Sequence, residues 1–559
     1  MVDESQVSPK NAQSQGAELD LDLSVLTWME EVAGTNLLAY LMNSDADSIR
    51  RLISGTFALS QPQGQNVREF EGLRNLVSQQ FGQHPPESVM GAVLTQVRDD
   101  GRSVAHSLHL QAAGSEEIPA SEDEIERALV ALALDIYPAF LLPPEPDPLP
   151  MMPFHTPFVV AGLLHRHPQT KSFLNAALQD SVLKKVFTSE NEGTGRVAYV
   201  YTNAGRGVTV QLVMLPDMLL NAAWRHVQGA EIDPVSFAKA ALEELRLVRA
   251  VFAGKTCTIT ARVAFTGVLL PEGEKFEIDK GVVRAATDLD RQYAPESLRA
   301  KLSGTDASGT STVINYDGDV LLEYKYPYKV KAQALSTEDV DSQWPSEMLP
   351  SRDFQTVATR LRFSLMLAVD RDSRAQLVQT WTHFDDPLGY SVSWNDPRQG
   401  TAIMPIQLTS EEVASWCDWY GRLNAEPVAK IDLALTRILR AIAERREPSD
   451  VLIDSVIAWE SLFGTKEGEP TFRVTSCIAK LLADSVEERI ALRTRLGKIY
   501  ALRSKVVHGN SNLKTEDYPL CQEALDFGIR VVKILVADRT DILELPDGAA
   551  RSARLLLGD

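Results

Sequence analysis

Residues 500–509 are Tyr500-Ala501-Leu502-Arg503-Ser504-Lys505-Val506-Val507-His508-Gly509. Arg503 and His508 are separated by four residues near the end of a predicted basic helix. Gly509 suits the left-handed conformation that often follows a helix end. The stretch therefore predicts a helix that ends at a histidine and carries a guanidinium shortly before it.

The start of this helix is marked by Ser485-Val486-Glu487-Glu488. A serine followed three residues later by glutamate is a capping box, which satisfies two backbone amides at once. Apolar residues then recur at spacings of three, four and six, and this pattern predicts one buried face made of Ile490, Leu496, Ile499, Leu502 and Val506.

The charge of the helix contrasts with that of the chain. The chain has a formal net charge of −20, but there is no Asp or Glu from Arg489 to Lys514. Such a local basic run attracts a polyanion even when the whole protein repels one. We expect RNA contacts at four basic residues of this run, Arg493, Arg495, Lys498 and Lys505.

An imidazole beside a guanidinium supplies the catalytic groups needed to cleave RNA without a metal. Histidine titrates near neutral pH and can transfer protons, while arginine stays charged and binds phosphate through two donors. The alternative is structural: His508 caps the helix and Arg503 makes a salt bridge. Residues five apart on a helix point about 140° apart. We therefore expect the last turn to loosen at Gly509 and two copies of the chain to pair.

Three stretches carry a family resemblance. The segment 426–539 resembles the Apea-like HEPN domains of prokaryotic defence proteins, over about a fifth of the chain. The matching stretches are Ile453-Asp454-Ser455-Val456-Ile457-Ala458-Trp459-Glu460-Ser461-Leu462-Phe463-Gly464, Phe472-Arg473 with Ala479-Lys480-Leu481-Leu482, and the Arg-Ser-x-x-x-His-Gly signature within Ile499-Tyr500-Ala501-Leu502-Arg503-Ser504-Lys505-Val506-Val507-His508-Gly509.

The resemblance implies a helical bundle that dimerises and places two Arg/His pairs in one cleft. Arg503 and His508 are then the catalytic pair, with Ser504 and Tyr500 in support. Ser504 occupies a position that is often Asn or another polar residue in active members. Tyr500 lines the cleft or, as we favour, is a half-buried aromatic.

The other helices of the predicted bundle follow from the apolar pattern. We expect helices from Pro427 to Arg446, from a Ser449 cap to Gly464, up to about Ala483, and from Thr515 onward. The first of these carries an apolar stripe of Ile431, Leu435, Ile438, Leu439 and Ile442. The predicted bundle spans 426–540, and 541–559 is a predicted tail.

The N-terminal part is predicted as a disordered tail (1–20) and a helical domain (21–140). Residues 36–55 resemble a helix-turn-helix, which would turn Ser48, Arg50 and Arg51 toward a DNA groove. Residues 30–81 hold four Arg and six Asp or Glu, a net charge of −2. DNA readers are usually basic, so we favour a role in packing or protein contact.

A proline-rich linker, 141–154, leads to a predicted α+β domain, 155–425. The resemblance to the defence proteins implies that this domain is a sensor or regulatory domain. Two hairpins are predicted, 196–202 with 208–215, and 312–316 with 320–326.

No Walker loop or GxGxxG motif is present, so no cofactor is predicted. His165-Arg166-His167 and His383 lack further ligands at metal spacing, so no metal is predicted either.

Composition limits the compartment. Cys257, Cys417, Cys477 and Cys521 are far apart and form no CxxC pair, which fits a reducing cytoplasm. No apolar run is long enough to span a bilayer, and the N-terminus lacks the apolar core of a signal peptide. We expect a cytoplasmic protein without a membrane partner.

The fold class expected from the sequence is multidomain α+β, with an N-terminal helical domain, a central α+β domain and a C-terminal all-α HEPN bundle. The expected function is an antiviral, abortive-infection endoribonuclease that acts on RNA as a homodimer and responds to a phage-derived trigger. The alternative is a non-catalytic regulator that binds nucleic acid or a protein partner.

Overall fold

The computed structural model describes residues 22–80, 82–84, 86–116, 118–143, 167–191, 195–204, 206–229, 231–295, 298–299, 301–305, 311–332, 349–369, 376–389, 391–394, 405–465, 469–508 and 513–558. The predicted N-terminal tail, most of the predicted linker, His165-Arg166 and Gly509 lie outside these residues. The chain divides into two compact units: Met1–Asp147, His155–Val197 and Gln211–Arg246 form the first, and Pro148–Phe154, Ala198–Val210 and Leu247–Asp559 form the second.

The first unit is mainly helical, as the sequence predicts for 21–140. Several helices begin at residues whose side chains accept a backbone amide, such as Asp45 from Ser48 and Ser103 from His106. The helices are α1 Ser24–Leu41, α2 Ala46–Ile53, α3 Gln61–Gln80, α4 Pro86–Leu94, α5 Val104–Ala113, α6 Glu124–Phe140, α7 Pro168–Ala177, α8 Leu183–Val186, α9 Leu215–Val227 and α10 Pro234–Phe252, of which α10 ends in the second unit.

Strands are numbered in chain order across both units. They are β1 Ser189–Asn191, β2 Gly195–Thr202, β3 Arg206–Gln211, β4 Cys257–Thr266, β5 Val268–Leu269, β6 Lys275–Ile278, β7 Gly281–Ala285, β8 Lys301–Thr305, β9 Ser311–Asn315, β10 Val320–Tyr328, β11 Val330–Ala332, β12 Val378–Phe384, β13 Ser391–Trp394 and β14 Ile406–Gln407. The chain is thus a mixture of helix and sheet, as predicted.

The main sheet of the second unit has the order β13-β12-β4-β10-β7-β6, and all its described pairs are antiparallel. The pairing of the first predicted hairpin is confirmed, because β3 pairs with β2, but its second strand ends at Gln211. The rest of the predicted strand 208–215 is wrong, because Leu212–Met214 is a 3₁₀ turn and α9 begins at Leu215. The second predicted hairpin is wrong: β9 pairs with β8, and β10 pairs with β4 and β7. Both edges of β10 are therefore occupied by other strands, which leaves no edge for β9.

Eleven further helical segments complete the described part of the second unit. They are α11 Asp288–Arg291, α12 Leu349–Ala368, α13 Ser410–Leu423, a 3₁₀ turn Glu426–Ile431, α14 Asp432–Ala443, α15 Pro448–Phe463, α16 Pro470–Leu482, α17 Val486–Val507, α18 Tyr518–Ala537, α19 Thr540–Leu543 and α20 Gly548–Leu557, besides a short 3₁₀ turn Thr515–Asp517 before α18. Among the described helices, none is both long and apolar enough to cross a bilayer.

The core of the C-terminal helices explains their packing. All five residues of the predicted stripe are buried, Ile431 at the end of the 3₁₀ turn and the other four on α14. The predicted Ser449 cap is wrong, because α15 begins at Pro448, where the missing amide hydrogen costs nothing. The same core includes Phe363 and Met366 of α12, so the structure does not divide the chain at 425 as the predicted domains do.

The end of the chain also differs from the prediction. Residues 541–559 are predicted as a tail, but α20 packs Leu555 into the core of the C-terminal helices. Arg551 is 2% exposed and donates to the carbonyls of Leu462 and Ser461 at the end of α15. Because carbonyls at a helix end lack partners within their helix, α20 stabilises α15.

Candidate functional site

The helix that carries the candidate pair is built as predicted at its start. Ser485 accepts from the Glu488 amide at 3.2 Å, and Glu488 accepts from the Ser485 amide at 3.1 Å. Leu496 and Ile499 are fully buried, and Leu502 and Val506 are partly buried. Ile490 is 60% exposed, so its predicted burial is wrong. Its spacing of six from Leu496 turns it about 120° away from the buried face.

Arg503 lies on the side of α17 that faces α15. Its Nη2 is 3.7 Å from Oε2 of Glu460, and its side chain is 23% exposed. Its Nε is buried and has no hydrogen-bond partner among the described residues. A buried N–H without a partner costs free energy, so this guanidinium is held loosely and incompletely satisfied.

Tyr500 is 8% exposed and donates its hydroxyl hydrogen to Oε1 of Glu460. Burial and the adjacent carboxylate raise the pKa of Tyr500, so the phenol stays protonated and remains a donor. The side chain therefore lies within the bundle as a buried aromatic. Glu460 thus contacts both Tyr500 and Arg503 with its two oxygens.

His508 is exposed and occupies the C-terminal cap of α17. Its backbone amide donates to the carbonyl of Ser504 at 3.1 Å, while Ser504 itself is exposed. The helix stays regular through Val507, so the turn does not loosen within the described residues. Arg503 faces the bundle and His508 faces solvent, so one copy does not bring them together.

The four predicted RNA contacts differ in their surroundings. Arg495 makes a bidentate ion pair with Glu523, with both distances 2.7 Å. The Arg493 guanidinium lies 5.0 Å from the ring centre of Phe472. Lys498 and Lys505 are exposed. Arg493, Lys498 and Lys505 therefore present charge to solvent, whereas a carboxylate neutralises Arg495.

Glu460 is the residue of this site that sequence reasoning missed as a functional candidate. It lies 43 positions before Arg503, and only the packing of α15 against α17 brings the two together. A signal was present, because Glu460 is a charged residue in a mostly apolar helix between Trp459 and Leu462. A charged residue in a buried helix usually has a charged or hydrogen-bonding partner.

The helix-turn-helix candidate buries one of its three predicted DNA contacts, Ser48, and leaves Arg50 and Arg51 at the surface. Ser48 is 7% exposed, and its hydroxyl donates to the Asp45 carboxylate at 2.8 Å. Arg50 pairs with Asp47 at 2.6 Å, and Arg51 donates to Ser48 and lies over Phe57. The prediction that Ser48 faces DNA is therefore wrong, because the capping of α2 turns it inward.

The histidines considered as metal ligands from the sequence have other partners where the structure describes them. Within the part of the chain that the structure describes, no group of three or more His, Cys, Asp or Glu side chains could hold a metal ion. His167, one of the histidines considered from the sequence, instead accepts the Gln169 amide at the start of α7. His383 is fully buried, with Nδ1 3.4 Å from Asp385.

Comparisons with known proteins identify no relative of this chain. No protein-family model, no curated protein and no solved structure matches the chain. The function is therefore argued from the residues and their geometry.

Proposed function

We propose that this protein is a metal-independent endoribonuclease of prokaryotic antiviral defence, with Arg503 and His508 as its catalytic pair in a homodimer. The observation that supports this most is the state of the two side chains. His508 is exposed at the end of a helix that has no Asp or Glu after Glu488, and the buried Nε of Arg503 has no hydrogen-bond partner among the described residues, where its guanidinium lies 3.7 Å from Glu460. Both side chains gain interactions when a phosphodiester binds.

The proposed reaction uses the ribose 2′-hydroxyl as the nucleophile. The imidazole of His508 takes the proton of that hydroxyl, and the 2′-oxygen attacks phosphorus. The bond from phosphorus to the 5′-oxygen breaks, and His508 of the second copy protonates the leaving oxygen. Arg503 stabilises the negative charge of the pentacoordinate phosphorus. The products are a 2′,3′-cyclic phosphate and a 5′-hydroxyl.

A second copy is required because Arg503 and His508 point about 140° apart on one helix. The outer face of α17 offers an interface: small or apolar residues recur on the same side as His508, namely Val486, Ile490, Gly497, Ala501 and Ser504. Val486 and Ile490 are 61% and 60% exposed and lie one helical turn apart on this side. A two-fold axis beside this face would bring both His508 side chains together, and each Arg503 would then have to leave Glu460 and turn toward them to contact the same phosphate.

The second candidate is a non-catalytic regulator that binds RNA or a protein partner. One observation favours it: Glu460 ties Tyr500 and Arg503 together, as a structural ion pair would. On that view the arginine stabilises the bundle and the histidine only caps α17. DNA is the less favoured ligand, because Ser48 is buried and Arg50 pairs with Asp47.

Incubation of the purified protein with total RNA, with and without EDTA, separates the two candidates. The nuclease cleaves RNA equally in both conditions and leaves 2′,3′-cyclic phosphate ends. RNA binding without cleavage would favour the regulator, and loss of cleavage in EDTA would reject the proposed chemistry. A phage-derived trigger is tested by adding lysate from infected cells to the same assay.

A further inference from the structure

A cluster of buried ionisable side chains lies in the first unit, far in sequence from the candidate nuclease site. It contains His106 and His109 of α5, Glu116 of the loop after α5, and Asp135 of α6, with His167 at the start of α7. His106, His109, Asp135 and His167 are each between 2% and 6% exposed, and the Glu116 side chain is 4% exposed. Buried charges are costly unless they are paired, so their protonation states must match their partners.

The protonation of His106 follows from its two partners. Its Nδ1 is 3.2 Å from Oδ1 of Asp135, and its Nε2 is 3.1 Å from Oε2 of Glu116. An ionised carboxylate only accepts hydrogen bonds, so both ring nitrogens must donate. His106 is therefore a buried imidazolium between two carboxylates on opposite sides of its ring.

Asp135 has enough donors to remain ionised. It accepts from the Ser103 amide at 2.6 Å and from His106. His167 accepts the Gln169 amide at Nδ1, so its proton is on Nε2, which donates to Asp135. His167 is thus neutral, and the charge that balances Asp135 comes from His106.

The remaining contacts place Glu116 against α5. Nδ1 of His109 donates to the carbonyl of Tyr40 at 2.7 Å, and the two rings stack with centres 4.1 Å apart. Nε2 of His109 lies 3.2 Å from Oε1 of Glu116. The hydroxyl of Tyr40 is also buried in this region. Oε1 of Glu116 has no hydrogen-bond partner among the described residues, so this loop residue is fixed mainly by the hydrogen bond from His106 to Oε2 and by the charge of His106.

We propose that this cluster is a proton-linked lock, in which the charge of His106 holds the Glu116 loop against α5 and α6 and loss of its proton releases the loop. A neutral imidazole keeps one N–H. Its other nitrogen then has a lone pair that faces a lone pair of a carboxylate oxygen, and the two repel each other. One of the two carboxylates then loses its donor in a buried site. Glu116 is the one that can leave, because it lies on a loop, whereas Asp135 lies within α6.

The direction of the pH dependence follows from the groups around His106. Burial alone lowers the pKa of His106, but hydrogen bonds to Asp135 and Glu116 outweigh it and raise the pKa to about 9. Burial raises the pKa of Glu116, but the hydrogen bond from His106 and the nearby His109 bring it down to about 2. A raised folded-state pKa gives stability that is complete below the ordinary histidine pKa and lost as pH rises through the folded value. The lock therefore weakens from about pH 6.5 to about pH 9.

Hydrogen–deuterium exchange of the full-length protein tests the lock. Peptides that span residues 103–116 report the loop and the Ser103 amide, after correction for intrinsic exchange rates. In the wild type, the opening constant should rise about tenfold per pH unit between about pH 6.5 and 9 and then level off. His106→Gln keeps a donor and an acceptor but cannot titrate, so its opening should be frequent and independent of pH. His84→Gln, at an exposed histidine, should behave as the wild type.

Three outcomes would overturn the proposal. The first is protection in the wild type that does not change across this pH range, which decides the matter even if His106→Gln fails to fold. The second is a steep pH dependence that persists in His106→Gln. The third is stoichiometric zinc in the purified protein whose removal opens the loop, because the Nε2 atoms would then hold a metal instead of protons.

Discussion

Among the single residues, Glu460 determines the surroundings of Arg503. Its two oxygens meet Tyr500 and Arg503, so it connects a buried aromatic to the candidate catalytic guanidinium. The sequence predicted that Arg503 and His508 diverge, because helix periodicity alone determines that. The sequence could not predict the partner of Arg503, because Glu460 is 43 residues away and meets it only through the packing of α15 against α17.

Tyr500→Phe should lower the free energy of unfolding by about 1–2 kcal/mol, because it removes the donor to a partly buried Glu460 carboxylate. Chemical denaturation monitored by circular dichroism measures this. Tyr518→Phe is the matched control: its side chain is 44% exposed, and we expect a change within about 0.5 kcal/mol. Equal stability of Tyr500→Phe and the wild type would show that Glu460 does not need this donor.

Among the helices and strands, the predictions that depend on residues close in sequence are confirmed. The capping box at Ser485 and the apolar stripe on α14 depend on neighbours within one or two turns. The second hairpin failed for the opposite reason. The strand β10 takes β4 as a partner, and the paired residues Val320 and Phe265 are 55 positions apart. A turn sequence cannot reveal such a competitor.

Ser485→Ala tests the capping box and should destabilise the protein by about 1 kcal/mol, because the Glu488 amide loses its acceptor. Thermal unfolding and hydrogen exchange at the start of α17 measure the effect. Thr494→Ala changes an exposed residue of the same helix and should not lower stability. A Ser485→Ala protein with unchanged exchange at residues 486–489 would contradict the assigned cap.

Across the whole molecule, the net charge is −20, whereas α17 has no acidic residue from Arg489 to its end. The predicted mixture of helix and sheet is confirmed, while the grouping of residues into units differs from the predicted domains, because α12 shares a core with the C-terminal helices. We propose assembly through α17, because Arg503 and His508 diverge on it and Val486 and Ile490 are exposed. The chain mass of 61.7 kDa gives a dimer of twice that value.

Ile490→Asp should convert the dimer to a monomer and abolish RNA cleavage, because it places a charge in the proposed interface. Light scattering coupled to size exclusion measures the mass. Ile118→Asp provides the control, since Ile118 is 56% exposed and lies in the first unit. A fully active wild-type monomer would refute the requirement for two copies.

Cleavage of a defined single-stranded RNA in EDTA tests whether Arg503 and His508 cleave RNA without a metal. The account predicts that the wild type and His84→Ala produce fragments with 2′,3′-cyclic phosphate ends. It predicts that His508→Ala and Arg503→Ala lose at least about a hundredfold in rate while they remain folded by circular dichroism. Cleavage at the wild-type rate by either folded variant would contradict the account.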